Sequence, residues 1–168
     1  MQAALDPLAR ILALNTDLLL NTLDGVTDDE ARHRLPGGGN SLGFIAAHLA
    51  DSRHFLANLI GRPLENPLAP ALAGARRIED VRELPPLDAI RQAWTVVSEH
   101  LALALEELSA EDLVRPVTQR FPLGDGGVLG VIAFLVQHDS YHLGQAAFVR
   151  RQLGHPAMSY RRKPVAAG

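Results

Sequence analysis

The chain of 168 residues contains no cysteine. That excludes disulfides, thiolate metal ligands and a cysteine nucleophile, so any thiol chemistry must draw its thiol from a small molecule. No apolar run is long enough to span a bilayer. The start, Met1 to Pro7, carries no basic residue, which argues against a signal peptide and for a cytoplasmic location. Repeats and low-complexity blocks are absent. No acidic residue follows Asp139, whereas Arg150, Arg151, Arg161, Arg162 and Lys163 do. These cations suit a helix C-terminus and a solvated tail, where the dipole favours positive charge; anion or partner binding is the alternative. The net charge of −3 argues against nucleic-acid binding through the whole surface.

What is present suits one globular domain: 47% of the residues are apolar, enough for a full core at this length. Asp6 as N-cap and Pro7 as first residue open a helix to Leu23, striped by Leu8, Ile11, Leu12, Asn15, Leu18, Leu19 and Thr22. Thr27 and Glu30 cap a short helix ending near Arg34. After the loop Pro36–Asn40, Ser41 caps a second long helix that ends near Ile60, before Gly61 and Pro63. Residues 61–86 hold five prolines and read as a long irregular connection with a turn of helix at 78–83. A third long helix, Leu87 to Leu108, has the clearest core stripe: Leu87, Ile90, Trp94, Val97, Leu101, Leu105 and Leu108. Residues 113–127 read as a loop. A fourth long helix runs from Val128 to Leu153 and stops at Gly154. No segment alternates as a strand. The fold class is therefore all-α, a four-helix bundle with a long connection between its second and third helices and short extra helices. Residues 1–155 form one domain and 156–168 a basic tail.

Chemistry concentrates on histidine. His138 and His142 are four apart, on one helix face and about 6 Å apart along its axis. They share a stripe with Val131, Phe134, Leu135, Tyr141, Gln145, Phe148 and Val149, which points both imidazoles into the bundle. Two buried imidazoles that close need a common reason, since an unpaired buried polar group is costly. A metal supplies one; two separately hydrogen-bonded core histidines are the alternative. His48, on a face with Phe44, Ile45, Asp51, Ser52 and Phe55 of the second long helix, would complete a three-histidine site with an open coordination position. Asp51, Ser52, Gln145 and Asn15 point inward or nearly so and could orient an imidazole or contact substrate, as could Tyr141 in the stripe. His54 is rotated away on the helix from His48, and His33, His100 and His155 are weaker candidates. The His138-Asp139-x-x-His142 segment is not a zincin motif: Asp is too short to serve as the base, no acidic ligand follows, and Phe148 stands where the extended motif needs histidine. The segments Gly37–Ser41 and Gly124–Gly127 lack the lysine of a phosphate-binding loop and suit turns.

The segments Ser41 to Ser52 and Gln137 to Gln145 together resemble the two motifs of DinB/YfiT-like proteins, and the resemblance extends over nearly the whole chain. It implies a metal held between the second and fourth long helices by His48, His138 and His142, with zinc or nickel usual and a homodimer common. Relatives include metal-dependent thiol transferases and isomerases that use bacillithiol, mycothiol or glutathione. Membership fixes the site better than the reaction. Three neutral imidazoles leave the full charge on a divalent ion, which lowers the pKa of a bound water and deprotonates a bound thiol. The leading expectation is a metal-dependent transferase that activates a low-molecular-weight thiol, with Arg150 and Arg151 available to an anionic thiol. Alternatives are a non-catalytic metal-binding stress or sensing protein, and a metal-dependent hydrolase with Asp51 as base.

Overall fold

The computed structural model of the protein describes residues 2–75, 77–123 and 126–160. Its long helices are α1 (Asp6–Leu23), α3 (Leu42–Leu59), α5 (Leu87–Glu107) and α7 (Val128–Gln152); the short ones are α2 (Asp28–Arg32), α4 (Ala69–Leu72) and α6 (Ala110–Val114), with a 3₁₀ turn at Ile78–Asp80. The four long helices pack in a ring, α1 against α5, α5 against α3, α3 against α7 and α7 against α1. No helix is long and apolar enough to cross a membrane. Among the described residues the only strand-like pairing is a bridge between Pro116 and Gly127, which closes the loop before α7.

Local chemistry explains the boundaries. Ser41 accepts a hydrogen bond from the Phe44 amide, and Thr27 with Glu30 and Ser109 with Asp112 form capping boxes. These side chains satisfy amides that the first helical turn leaves free. Asp6 is not the N-cap: Leu5 occupies that position, and Asp6, inside the helix, pairs with Arg10 instead. Pro7 needs no amide partner at the start of a helix, so initiation succeeds without a side-chain cap. The proline-rich connection and the stretch between Leu108 and the 113–127 loop hold more helix than periodicity indicates, α4 and α6 being too short to show a stripe. The helical turn expected over 78–83 shrinks to Ile78–Asp80. Gly43 lets α2 approach α3, since a Cβ there would lie 3.0 Å from the Ala31 carbonyl oxygen.

The core divides into two apolar clusters. One gathers Leu19, Leu49, Ala50, Trp94 and Leu143; the other gathers Leu12, Leu56, Val97, Leu101, Ile132 and Val136. Between them every long helix contributes buried polar groups: Asn15 from α1, Arg53 from α3, Ser98 from α5 and Asp139 from α7. Arg53 anchors this layer. It donates to Asp139 at 2.9 Å, to Thr16 Oγ1 at 2.7 Å, to Ser98 Oγ at 2.6 Å and to the Leu12 carbonyl at 3.0 Å, and it stacks 3.7 Å above the Trp94 ring. Burial pushes the Asp139 carboxyl up and the Arg53 guanidinium down, and each is held charged by the other. A buried ion pair is tolerated when its remaining donors and acceptors are filled, as they are around Arg53.

The C-terminal cations are not simply solvated. Arg150 is buried and donates to the carbonyls of Thr22, Asp24 and Pro156, tying α7 to the end of α1. It is thus committed to backbone carbonyls and is not open to an anionic thiol. Arg151 is exposed and donates to the His155 carbonyl. Met158 packs on the first apolar cluster, and the Ser159 amide donates to Asn21, so the start of the tail lies against the bundle. Arg161, Arg162 and Lys163 lie outside the described residues.

Candidate metal centre

The polar layer reaches the bundle edge one residue before Asp139. There His138 and His142 of α7 meet His48 of α3. The ring centroids are 5.0 Å apart for His48 and His138, 4.9 Å for His48 and His142, and 4.4 Å for His138 and His142. One ligand atom from each lies within 4.8 Å of those of the others, and all three side chains are half-buried. Nε2 of His48 and Nε2 of His138 are 3.1 Å apart. In a tetrahedral site with metal–nitrogen bonds of about 2.0–2.1 Å, ligand nitrogens stand about 3.3 Å apart. His142 Nδ1 donates to Gln145 Oε1 at 2.8 Å. That bond fixes its tautomer and leaves Nε2 bare, as a metal-binding imidazole requires.

Electrostatics agree with this geometry. Burial, reinforced by His142, lowers the pKa of His48 to about 4. Burial, with His142 and His48 beside it, does the same to His138, also to about 4. Burial lowers His142 too, opposed by its bond to Gln145. All three rings are therefore neutral near pH 7, the form in which imidazole donates a lone pair. The His138 Nδ1 atom is buried without a protein partner. The donor set is three imidazole nitrogens converging at a partly open position, and it fits a divalent ion.

The other site candidates divide. Gln145 orients His142. Ser52 Oγ donates to the His48 carbonyl, and so braces the helix at that residue rather than the imidazole. Asn15 is buried and donates to Ser140 Oγ across the α1–α7 contact. Asp51 stands outside the histidine cluster; its carboxylate accepts from Asn66 Nδ2 at 2.7 Å, and burial pushes its pKa up. Tyr141 and Phe148 do not point into the bundle: they are 58% and 61% exposed. The buried face of α7 runs through Val131, Ile132 and Leu135 to Asp139, Leu143 and Ala146, so the histidines sit at its margin and Tyr141 beyond it. Even so, the Tyr141 ring lies 5.1 Å from that of His142.

Aromatic residues, three of them on the faces that carry the histidines, complete the surroundings. Phe44 stacks on His48 with centroids 6.2 Å apart. Phe134 lies 6.3 Å from His138, Phe121 lies 5.4 Å from Phe134, and Phe55 lies 6.4 Å from Phe121. An aromatic wall thus runs from the surface to the histidines. Phe121 belongs to the loop before α7, and no periodicity marks a loop residue. Arg53 was missed for a related reason: a lone arginine in an apolar helix reads as a surface residue until its acceptors on three other helices are known.

The sequence pattern of the DinB superfamily matches the chain over residues 11–146. The chain belongs to the DinB superfamily. No curated protein matches it significantly. The matched span includes all three histidines, the whole of α3 and α7 as far as Ala146. The three-histidine group could hold a divalent metal ion, in keeping with the superfamily.

Proposed function

We propose that the protein binds a divalent ion, zinc or nickel, through Nε2 of His48, His138 and His142, and that it transfers a low-molecular-weight thiol to an electrophile. The observation that carries this reading is the convergence of three neutral imidazoles at a partly open position. The DinB assignment supports it. A divalent ion held by His48, His138 and His142 would keep its full positive charge, since all three ligands are neutral, and would favour the ionised form of a thiol. The protein's part is to hold, orient and shield. Gln145 keeps the proton of His142 on Nδ1. Phe134 and Phe121 narrow the approach on the His138 side and keep water from the reacting atoms. The thiol proton would pass to solvent, since no carboxylate among the described residues joins the cluster. The sulfur electron pair then forms the bond to the electrophile, and the leaving group departs with its own bonding pair.

The hydrolase reading is the less favoured, since it needs a base at the cluster and the Asp51 carboxylate is bonded to Asn66. We further propose that the protein works as a homodimer; the exposed Ile11 and Leu14 of α1 and Tyr141 and Phe148 of α7, on adjacent helices, support this.

Elemental analysis of tag-free protein beside a His138→Ala, His142→Ala double variant tests the ion. Near-stoichiometric zinc or nickel in the parent and none in the variant is expected. A parent that stays metal-free after incubation with either ion sinks the reading. A thiol-transfer screen with glutathione and bacillithiol on the loaded protein tests the reaction, and silence with both thiols leaves a metal-binding protein without this activity.

A further inference from the structure

On the other side of α3 lies a second polar opening. His54 follows His48 by six residues, which turns it about 240° around the helix. It faces α5 and the 61–86 connection, away from α7. There a cavity of about 510 Å³ is bounded by His54, Glu65, Leu68, Gln92, Ala93 and Val96, among others. That volume falls in the range of about 300–1,000 Å³ typical of small-molecule sites, and the mix of apolar walls with a few polar groups is typical too.

His54 makes this more than a surface groove. It is 2% exposed. Its Nδ1 lies 2.9 Å from the Ala50 carbonyl oxygen, which can only accept, so Nδ1 carries the proton. In the neutral ring that leaves Nε2 as a lone-pair acceptor. Nε2 is buried and has no partner in the protein. Buried acceptors are almost always filled, so an empty one beside a cavity calls for a donor from outside the chain. Of the remaining polar lining, Glu65 offers a carboxylate, an acceptor only, and Gln92 an amide that can accept or donate. Among the described residues the lining includes no lysine or arginine.

We propose that this cavity is a second ligand site, separate from the histidine cluster, and that it takes a small molecule with an apolar body and a protonated amine. The amine is drawn by Glu65 and donates to His54 Nε2 when the buried ring turns toward the cavity, while the body lies between Leu68 of the connection and Ala93 and Val96 of α5.

Side-chain nitrogen NMR of the full chain, titrated with benzylamine, tests this. A saturable shift of the His54 Nε2 resonance is expected, with no such shift from benzoate. Val96→Trp, at a position already 46% exposed and hence tolerant, obstructs the mouth and should weaken binding by about tenfold or more, equivalent to one decade in Kd. Glu65→Gln should weaken it about two- to fivefold, as expected for an exposed charge pair. The proposal is overturned by an absent or unsaturable response, by benzoate or benzyl alcohol acting as strongly as benzylamine, or by unchanged binding in Val96→Trp. The imidazole resonances of His48, His138 and His142 serve as an internal control: a response there in place of His54 also overturns it.

Discussion

Arg53 and Asp139 join α3 to α7 in the middle of the bundle, and His48 with His138 and His142 joins the same two helices at its edge. The central pair is closed. Both side chains are buried, and the arginine spends its donors on four groups besides stacking on Trp94. The edge cluster is open. Its rings are half-buried and neutral, Nε2 of His48 and Nε2 of His138 lie 3.1 Å apart, and His138 keeps an unpartnered Nδ1. A polar group whose valences are all filled from within the fold is spent on the fold. One left with an unfilled position at the margin of the core is available to something else.

Mutations should separate the two regions, and the largest effect belongs to the centre. Asp139→Ala leaves the Arg53 charge buried without its counter-ion and should lower unfolding free energy by about 3–5 kcal/mol. Urea denaturation reads this directly. A joint Arg53→Met, Asp139→Leu replacement should recover most of the loss; failure to recover would mean that the pair does more than neutralise itself.

The edge cluster should respond in the opposite way. Without metal, His48→Ala, His138→Ala or His142→Ala should each change stability by less than about 1 kcal/mol, as for partly exposed groups. With free zinc or nickel at a hundred times Kd, the parent should gain about 2.7 kcal/mol and the variants should not. Thermal melts with and without a chelator check this, and a histidine variant that still gains would remove that residue from the ligand set. Gln145→Leu is the graded version. The ligands remain but His142 loses its orienting acceptor, so metal affinity should fall about 10- to 100-fold without vanishing. Competition with a chromophoric chelator measures it. The smallest effect touches neither region. Ser41→Ala removes the cap of α3 and should lower stability by about 1 kcal/mol at unchanged metal affinity; a change in affinity would show that the start of α3 positions His48.

The sites where expectation and structure part are instructive. Asp6 lost the cap position because Leu5 already lies in the helical region and Pro7 needs no cap. Tyr141 and Phe148 share the helical stripe of His138 and His142 yet face outward, because α7 buries a face centred on Asp139 rather than on the histidines. An apolar stripe drawn through an aromatic residue does not reveal which edge of it meets the core. Arg150 read as one of several helix-end cations and proved to be a buried tie to the end of α1.

The sequence by itself determined the four long helices, the caps on Thr27 and Ser41, and the placing of His48 apart from the pair His138 and His142. These follow from local rules, namely side-chain periodicity, capping chemistry and the constraints of proline and glycine, which act over a few residues. Only the tertiary structure decided that the three imidazoles meet, that Arg53 rather than histidine fills the centre, that Asp51 turns to Asn66, and that His54 stands beside a cavity with an unfilled acceptor. Each of these depends on the angle at which helices distant in sequence pack against one another. A rotation of α7 by one residue's angle, about 100°, would leave every local pattern intact and exchange Asp139 for His138 at the centre.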